Sequence, residues 1–588
     1  MPALRSLIDL SAVISGPPLR APFTARLGLS THLVKRVVLP VISQCGASPS
    51  GGMRDIRLVG KRCTLGNRAG RCWTGMPMNS TANIGSVQHA DAELFDVIII
   101  GAGLSGIGAA VRLQRDCPDR TFAVLERRGA IGGTWDLFRY PGIRSDSDMH
   151  TLGYDFKPWE AEKSIADGPA ILSYMNETAD EFRLREHIRF DHKLVAADWC
   201  SERGQWQLSL ETSEGIRRYR CGFLMMCAGY YSYDAGHQPD FVGKDRFKGD
   251  WVHPQFWPEG LEYADKKVVV IGSGATAMTL VPNMSRQAAH VTMLQRSPTY
   301  VTSRPSVDRL ANWLRRRLPP KLAYDIVRWR NTVWQQWIYR STRIMPSLVK
   351  RSLLSKVRDE IGELVDVDKH FTPSYNPWDQ RLCLIPDDDL FRAIQSGKAS
   401  VVTDHIESVS EEGVQLVSGE HLAADVIVCA TGLELVLLGG AEFSLDGEPV
   451  DFANEWTYKG MMCTNVPNMV HTFGYINASW TLRADLIATW VCRLLNHMRM
   501  TEKTVATPRI EETLAAGMRR RLWIDDFSAG YMRRMLDRFP RQGDEMPWMN
   551  PQDYRKDRKM FRDEPIDDGA LSLETASVDE PTPLREAV

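Results

Sequence analysis

Apolar and small residues follow one repeated order along the chain. Phe95-Asp-Val-Ile-Ile-Ile100 is a short β-branched run of the kind found in strands buried on both faces. It leads directly into Gly101-Ala-Gly103-Leu-Ser105-Gly106 and then an alanine-rich helix over Ile107–Gln114. The order returns at Lys267-Val-Val-Val-Ile271, followed by Gly272-Ser273-Gly274-Ala275-Thr276-Ala277, with alanine in the third small position. Strand, glycine turn and helix in this order open a Rossmann-like unit: the glycines permit the tight turn, close approach to a pyrophosphate and close helix–strand packing. The pattern predicts an α/β fold with two Rossmann-like dinucleotide-binding domains. A third run, Asp425-Val-Ile-Val-Cys-Ala-Thr-Gly432, reads as the strand at which the first domain resumes. That domain is then discontinuous, 93–235 and 420–588, around a second at 259–418. Residues 305–371 break the strand–helix alternation and read as a helical insert in the second domain, with Pro319-Pro320 between two helices.

Composition narrows the class. The chain has 588 residues, 43% of them hydrophobic, which excludes disorder over most of its length. Its 72 Lys+Arg against 73 Asp+Glu exclude a protein that coats nucleic acid. Eleven cysteines without CxxC or zinc-type spacing point to reduced thiols in a cytoplasmic protein and to no metal site. Residues 1–77 carry eleven Lys/Arg against two acids, Asp9 and Asp55. They read as an upstream region translated from an early start before Met78, as a targeting peptide, or as a disordered tail. The stretch from Ala576 is polar and reads as disordered.

The residues after each strand assign the nucleotides. The strand Thr121–Leu125 ends in Glu126, twenty residues past Gly106, placed to hydrogen-bond an adenosine ribose 2′-OH. At the second site, His290–Leu294 ends instead in Gln295-Arg296-Ser297, where a guanidinium suits a 2′-phosphate. Two dinucleotides, FAD and NADPH, face to face suit hydride transfer from nicotinamide to flavin. Disulfide reductases share this layout but need a cysteine pair near the flavin. Behind Glu126 runs Gly132-Gly133-Thr134-Trp135-Asp136-Leu137-Phe-Arg-Tyr140-Pro141-Gly142-Ile-Arg144-Ser145-Asp146, without cysteine, so oxygen activation leads.

This last segment and Phe247-Lys-Gly249-Asp-Trp-Val-His253-Pro-Gln-Phe-Trp257-Pro258 match the two fingerprints of type I Baeyer–Villiger monooxygenases, in order and between the two glycine turns. The chain resembles that family over about 93–570, most closely its actinobacterial, ethionamide-activating branch through Tyr375–Cys383 and Gly474–Thr481. The resemblance implies FAD contacts at Ser105, Glu126, Thr134 to Leu137, Asp146 and the backbone near Leu194. It implies NADP contacts at Arg144, Ser145, Asp146, the Gly272–Ala277 turn, Arg296 and Ser297. It aligns Arg381 with the catalytic arginine, with Asp146 as its partner, and gives His253 a role in coupling domain movement. The implied reaction inserts one oxygen atom of O2 into a ketone through a C4a-peroxyflavin, giving an ester or lactone, with S-oxygenation of thioethers and thioamides at the same site. Two other functions stay open: an S- or N-oxygenating flavin monooxygenase, and an NADPH-binding flavoprotein scaffold without turnover. Trp480 either lines the substrate pocket or packs.

From Arg309 to Arg358 there are thirteen Lys/Arg and one acid, Asp325, interleaved with Trp313, Trp329, Trp334 and Trp337. Such a segment lies on the inner face of an anionic membrane, or forms a lid whose tryptophans pack over the nucleotide site and whose arginines face solvent. A homo-oligomer is compatible with either.

Overall fold

The computed structural model describes residues 92–576, apart from Arg381, Asp526 and the side chain of Tyr531. The extension 1–77, the end of the tail and the arginine aligned with the family's catalytic residue therefore lie outside the described residues.

The first sheet grows from β1 (Glu93–Ile100), whose Val97, Ile98 and Ile99 are fully buried. It is followed by α1 (Leu104–Asp116), β2 (Phe122–Leu125), β3 (Ile188–Arg189), β4 (Lys193–Cys200), β5 (Gln205–Thr212) and β6 (Gly215–Met226). Their order in the sheet is β4-β5-β6-β1-β2-β3. Ile100 pairs in parallel with Leu125 on one side and Met226 on the other. Gly101, Glu126 and Cys227 therefore leave the sheet at the same edge, the carboxyl ends of parallel strands, where α/β sheets bind ligands.

The second sheet is built the same way from β7 (Asp250–Val252), β8 (Lys267–Ile271), β9 (His290–Gln295), β10 (Ala399–Thr403) and β11 (Val426–Cys429). Their order is β10-β9-β8-β11-β7, all parallel. The helix α2 (Ala275–Met284) follows the glycine turn after β8. The run at 426–429 thus belongs to the second sheet, between β8 and β7, and is not the return into the first. It is fully buried, and a strand of this kind carries no mark of which sheet claims it. The first sheet resumes later, through Glu442–Leu445 beside β4 and Met469–His471 beside β6. A two-stranded antiparallel ribbon, Tyr231–Gly236 with Leu433–Leu435, carries the chain between the sheets in both directions.

The insert holds three main helices: α3 (Arg309–Arg315), α4 (Pro320–Ile344) and α5 (Pro346–Ile361). Proline in the first turn of α4 and of α5 suits a helix start, because the missing N–H has no partner there anyway. Although α4 belongs to the second domain by sequence, its inner face is fastened to the first. The Arg328 guanidinium donates to the carbonyls of His150 (2.9 Å) and Gly153 (2.7 Å) and reaches the Asp485 carboxylate at 3.3 Å. Asp485 lies on α6 (Trp480–Met500), which packs along α1. The four tryptophans of the segment are exposed, Trp329 to 63%, so they do not pack over the nucleotide site.

Candidate active site

The first and last glycines of the first turn each answer a contact. Gly101 has φ +103°, and a Cβ there would sit 2.7 Å from the Cys227 carbonyl. A Cβ on Gly106 would lie 1.8 Å from the Gly101 carbonyl, so α1 approaches its strand only with glycine in place. The fingerprint that follows packs its backbone against this turn: Gly133 has φ +55°, and its Cβ would lie 3.1 Å from the Cα of Gly103. Glu126 closes the arrangement. Its carboxylate accepts from the Ala102 N–H at 2.6 Å and the Arg128 N–H at 2.9 Å, and burial raises its pKa against these two bonds. A carboxylate has capacity for further donors, so a ribose hydroxyl fits the same oxygens.

The second turn repeats the logic. Gly272 has φ +138°, and a Cβ there would sit 2.3 Å from the Ala430 carbonyl, whereas the space at Gly274, the N-cap of α2, is open. Ala277 is fully buried, which explains why a small residue serves as well as glycine. Ser273 Oγ bonds the Ser297 carbonyl (3.1 Å) and the Thr299 hydroxyl (2.9 Å), tying the turn to the chain after β9. Arg296 and Ser297 are exposed there, and no carboxylate pairs with Arg296 among the described residues.

Both turns border one cavity of about 480 Å³. Gly101, Gly103 and Ser105 line it from one side and Ala275 and Thr276 from the other, with Glu126, Thr134, Trp135, Arg144, Ser145, Asp146 and Leu194 between. The starts of α1 and α2 lack side-chain caps, so their first N–H groups are available to anions, and the helix dipoles favour negative charge there. The residues present thus fit a dinucleotide at each turn. Asp136 and Leu137 do not line the cavity. Asp136 is buried under Arg128 (2.6 Å) and Arg139 (3.1 Å), an ion-pair anchor for the short helix Thr134–Leu137. The Arg144 guanidinium is held by Asp389, with the Met278 carbonyl at 3.4 Å, which positions it beside α2. His253 lies outside the cavity. Its buried ring fills the space beside Gly236, where a Cβ would lie 1.9 Å away, and burial lowers its pKa. It braces the ribbon between the sheets.

An aromatic wall completes the site. The Trp480 indole N–H donates to Ser105 Oγ at 2.8 Å, and its ring stacks on Tyr230 (5.2 Å between centroids, 20°) and leans on Phe473 (5.1 Å). Gly474 makes this possible, since a Cβ there would be 2.5 Å from the indole. Trp480 therefore both lines the cavity and packs. Tyr230, Phe473, Leu384 and Met532 also line it and were not read from the sequence. Only Tyr230 had a signal, following the end of β6 after Cys227-Ala-Gly229, at the same edge as the two glycine turns.

The model of the flavin-binding monooxygenase-like family matches residues 95–313. The chain is 48% identical over 480 residues to the FAD-containing monooxygenase EthA of Mycobacterium tuberculosis, covering 82% of this chain and 97% of that protein. The chain belongs to the flavin-binding monooxygenases. It is likewise 47% identical over 481 residues to the probable FAD-binding monooxygenase AlmA of Acinetobacter baylyi, covering 82% and 96%. A steroid monooxygenase solved with bound NADP shares the fold, with a TM-score of 0.67 at 22% identity over 82% of this chain and 100% of that one. Membership of this family agrees with the two-turn layout.

Proposed function

We propose that this flavin-binding monooxygenase uses FAD and NADPH to insert one oxygen atom of O2 into ketones, giving esters or lactones, and that it oxygenates thioether and thioamide sulfur at the same site. The observation that carries this is the single cavity bordered by both helix N-termini and closed by an aromatic wall. When bound, FAD and NADPH supply hydride transfer and oxygen activation. The chain's own residues bind, orient and exclude water. The N–H groups at the start of α1 and α2 take the pyrophosphates, and Glu126 takes the flavin-side ribose. Arg296 and Ser297 take the 2′-phosphate. Trp480, Tyr230 and Phe473 pack an apolar substrate and keep water from the reacting atoms.

Arg381 carries the charge chemistry. An arginine stays protonated at any working pH, and a fixed cation beside a carbonyl oxygen that gains negative charge lowers the barrier by several kcal/mol. Leu384, three residues on, lines the cavity, which supports this assignment, and Asp146, which lines the same cavity, is its orienting partner. Its place of work is the cytoplasm, with peripheral contact at the inner face of the cell membrane through residues 309–358.

The test is product analysis with FAD-loaded protein, NADPH and a panel of ketones and thioethers. A product at substrate mass plus one oxygen that hydrolyses as an ester establishes the reading. Sulfoxides alone reassign the enzyme to heteroatom oxygenation, and NADPH consumption yielding only hydrogen peroxide across the panel removes oxygen transfer.

A further inference from the structure

The solvent side of α4 carries a continuous apolar stripe, while its inner side sets Arg328 and several amide and hydroxyl groups beside the buried Ala323, Tyr324 and Val327. Leu322, Ile326, Trp329, Val333, Trp337 and Ile344 recur at steps of three, four and seven, one stripe of the helix. Trp337 is 50% and Ile344 75% exposed. The opposite side carries Arg328, Asn331, Thr332 and Gln335, spent on hydrogen bonds and packing within the protein. A soluble helix ordinarily buries its apolar stripe, and a continuous exposed one marks an interaction surface. The neighbouring helices extend it with exposed Trp313 on α3 and Leu348 on α5.

Charge selects the occupant. The segment 309–358 holds thirteen basic residues and one acid, Asp325, which pairs with Lys321. Acids elsewhere in the chain pair with Arg328, Arg330, Arg340, Arg343, Lys356 and Arg358, so the free positive charge is concentrated on the remaining arginines. Arg309, Arg316, Arg317 and Arg351 are exposed and form no ion pair among the described residues. A second copy docked by two-fold symmetry would set this cationic face against itself. An anionic surface with an apolar interior matches both the stripe and its flanks.

We propose that α3–α5 dock on an anionic lipid bilayer, with the α4 stripe at the headgroup–acyl boundary and the flanking arginines on lipid phosphates. The inner face of the docked helix reaches the active site in one layer. Asn331 and Gln335 donate to the Asp148 carboxylate (2.8 and 3.0 Å). Gln335 also donates to Thr151, whose hydroxyl bonds that of Ser479 at 2.6 Å, next in sequence to Trp480. The substrate class that follows is a carbonyl or sulfur compound dissolved in the leaflet. That clause rests on the oxygenase reading, whereas the docking does not.

The experiment is flotation of the FAD-loaded full chain with phosphatidylcholine vesicles, with and without phosphatidylglycerol, at low and high salt. The protein is expected to float with the anionic vesicles only and to be released by salt. The triple variant Trp329→Ser, Trp337→Ser, Ile344→Ser should lose flotation. Arg316→Gln, Arg317→Gln and Arg351→Gln together should weaken binding on the order of a hundredfold, about fivefold per arginine. Both variants should keep the wild-type melting temperature and NADPH oxidation with a soluble substrate. Wild-type protein that floats with neither vesicle overturns the proposal. So does a Trp329/Trp337/Ile344 variant that floats unchanged but converts a dimer to a monomer, which would give the face to a second copy. Flotation without any oxygenated product would remove the oxygenase reading and leave the docking intact.

Discussion

Arg296→Ala isolates the dinucleotide choice of the second turn. Leu294 pairs with Ile271, so β9 ends beside the Gly272 turn. Gln295 fixes that end, its amide donating to the His370 carbonyl (2.7 Å) and the Thr403 hydroxyl (2.9 Å). Arg296 then leaves an anchored backbone with an exposed side chain that no carboxylate holds among the described residues. Its removal costs the fold almost nothing, and the melting temperature should stay within about one degree. Its loss for a 2′-phosphate is that of a charge-assisted hydrogen bond, about 1.5–3 kcal/mol, and exposure to solvent favours the lower end. Converted at 1.36 kcal/mol per decade, the KM for NADPH should rise roughly 10- to 30-fold. The KM for NADH, which offers no 2′-phosphate, should stay unchanged, as should kcat with either. Steady-state kinetics of both cofactors on wild type, Arg296→Ala and Arg296→Glu provide the measurement, and the glutamate variant should reverse the preference. Equal changes for NADPH and NADH would refute the reasoning and place the 2′-phosphate elsewhere.

Other outcomes follow from the same geometry. Arg381→Ala should leave anaerobic flavin reduction by NADPH near the wild-type rate and abolish ester formation, read by stopped-flow absorbance and product mass; retained ester yield refutes its role. Arg328→Met removes the donor to three backbone carbonyls and the partner of Asp485, and should destabilise by about 3–5 kcal/mol in thermal or denaturant unfolding; a loss under about 1 kcal/mol would mean that the insert is held elsewhere. His471 is fully buried, and desolvation together with Arg483 pushes its pKa down to about 3. The unfolded chain takes up that proton near the ordinary histidine pKa and the folded chain does not, so stability should fall as pH drops from about 6.5 towards 3, by about 1.4 kcal/mol per unit from this group. His471→Gln should flatten that slope in melting-temperature scans, and an unchanged slope would assign it to other groups.

Local chemistry was legible wherever one side chain or one missing Cβ decides a contact. The Gly101 and Gly272 turns, Glu126 and the Gly132-Gly133 pair are of this kind, and the structure supplies each with its close approach. The strand Val426–Cys429 was not legible in the same way. Its burial was plain, but its neighbours are set by β8 and β7, far away in sequence. Trp480 stayed undecided because its partners, Ser105, Tyr230 and Phe473, lie on three separate segments. For α4 the helical period was readable but its sense was not. Sequence patterning assumes that the apolar stripe turns inward, and here Ala323, Tyr324 and Val327 go inward together with Arg328, Asn331 and Gln335, whose partners in the first domain leave the tryptophan stripe outside.

The ribbon between the sheets has a consequence for ancestry. Gly236 and Leu433 are paired, so the stretch that builds the second nucleotide unit enters and leaves its host at one point. A unit joined in this way behaves as a cassette: cutting both strands of the ribbon and joining their stubs would leave the first sheet's strand order intact. Insertions that arrive by this route need only a surface hairpin to accept them. The helical insert, packed back onto the host through Arg328 and Tyr324, is what ties such a cassette to its host beyond the ribbon.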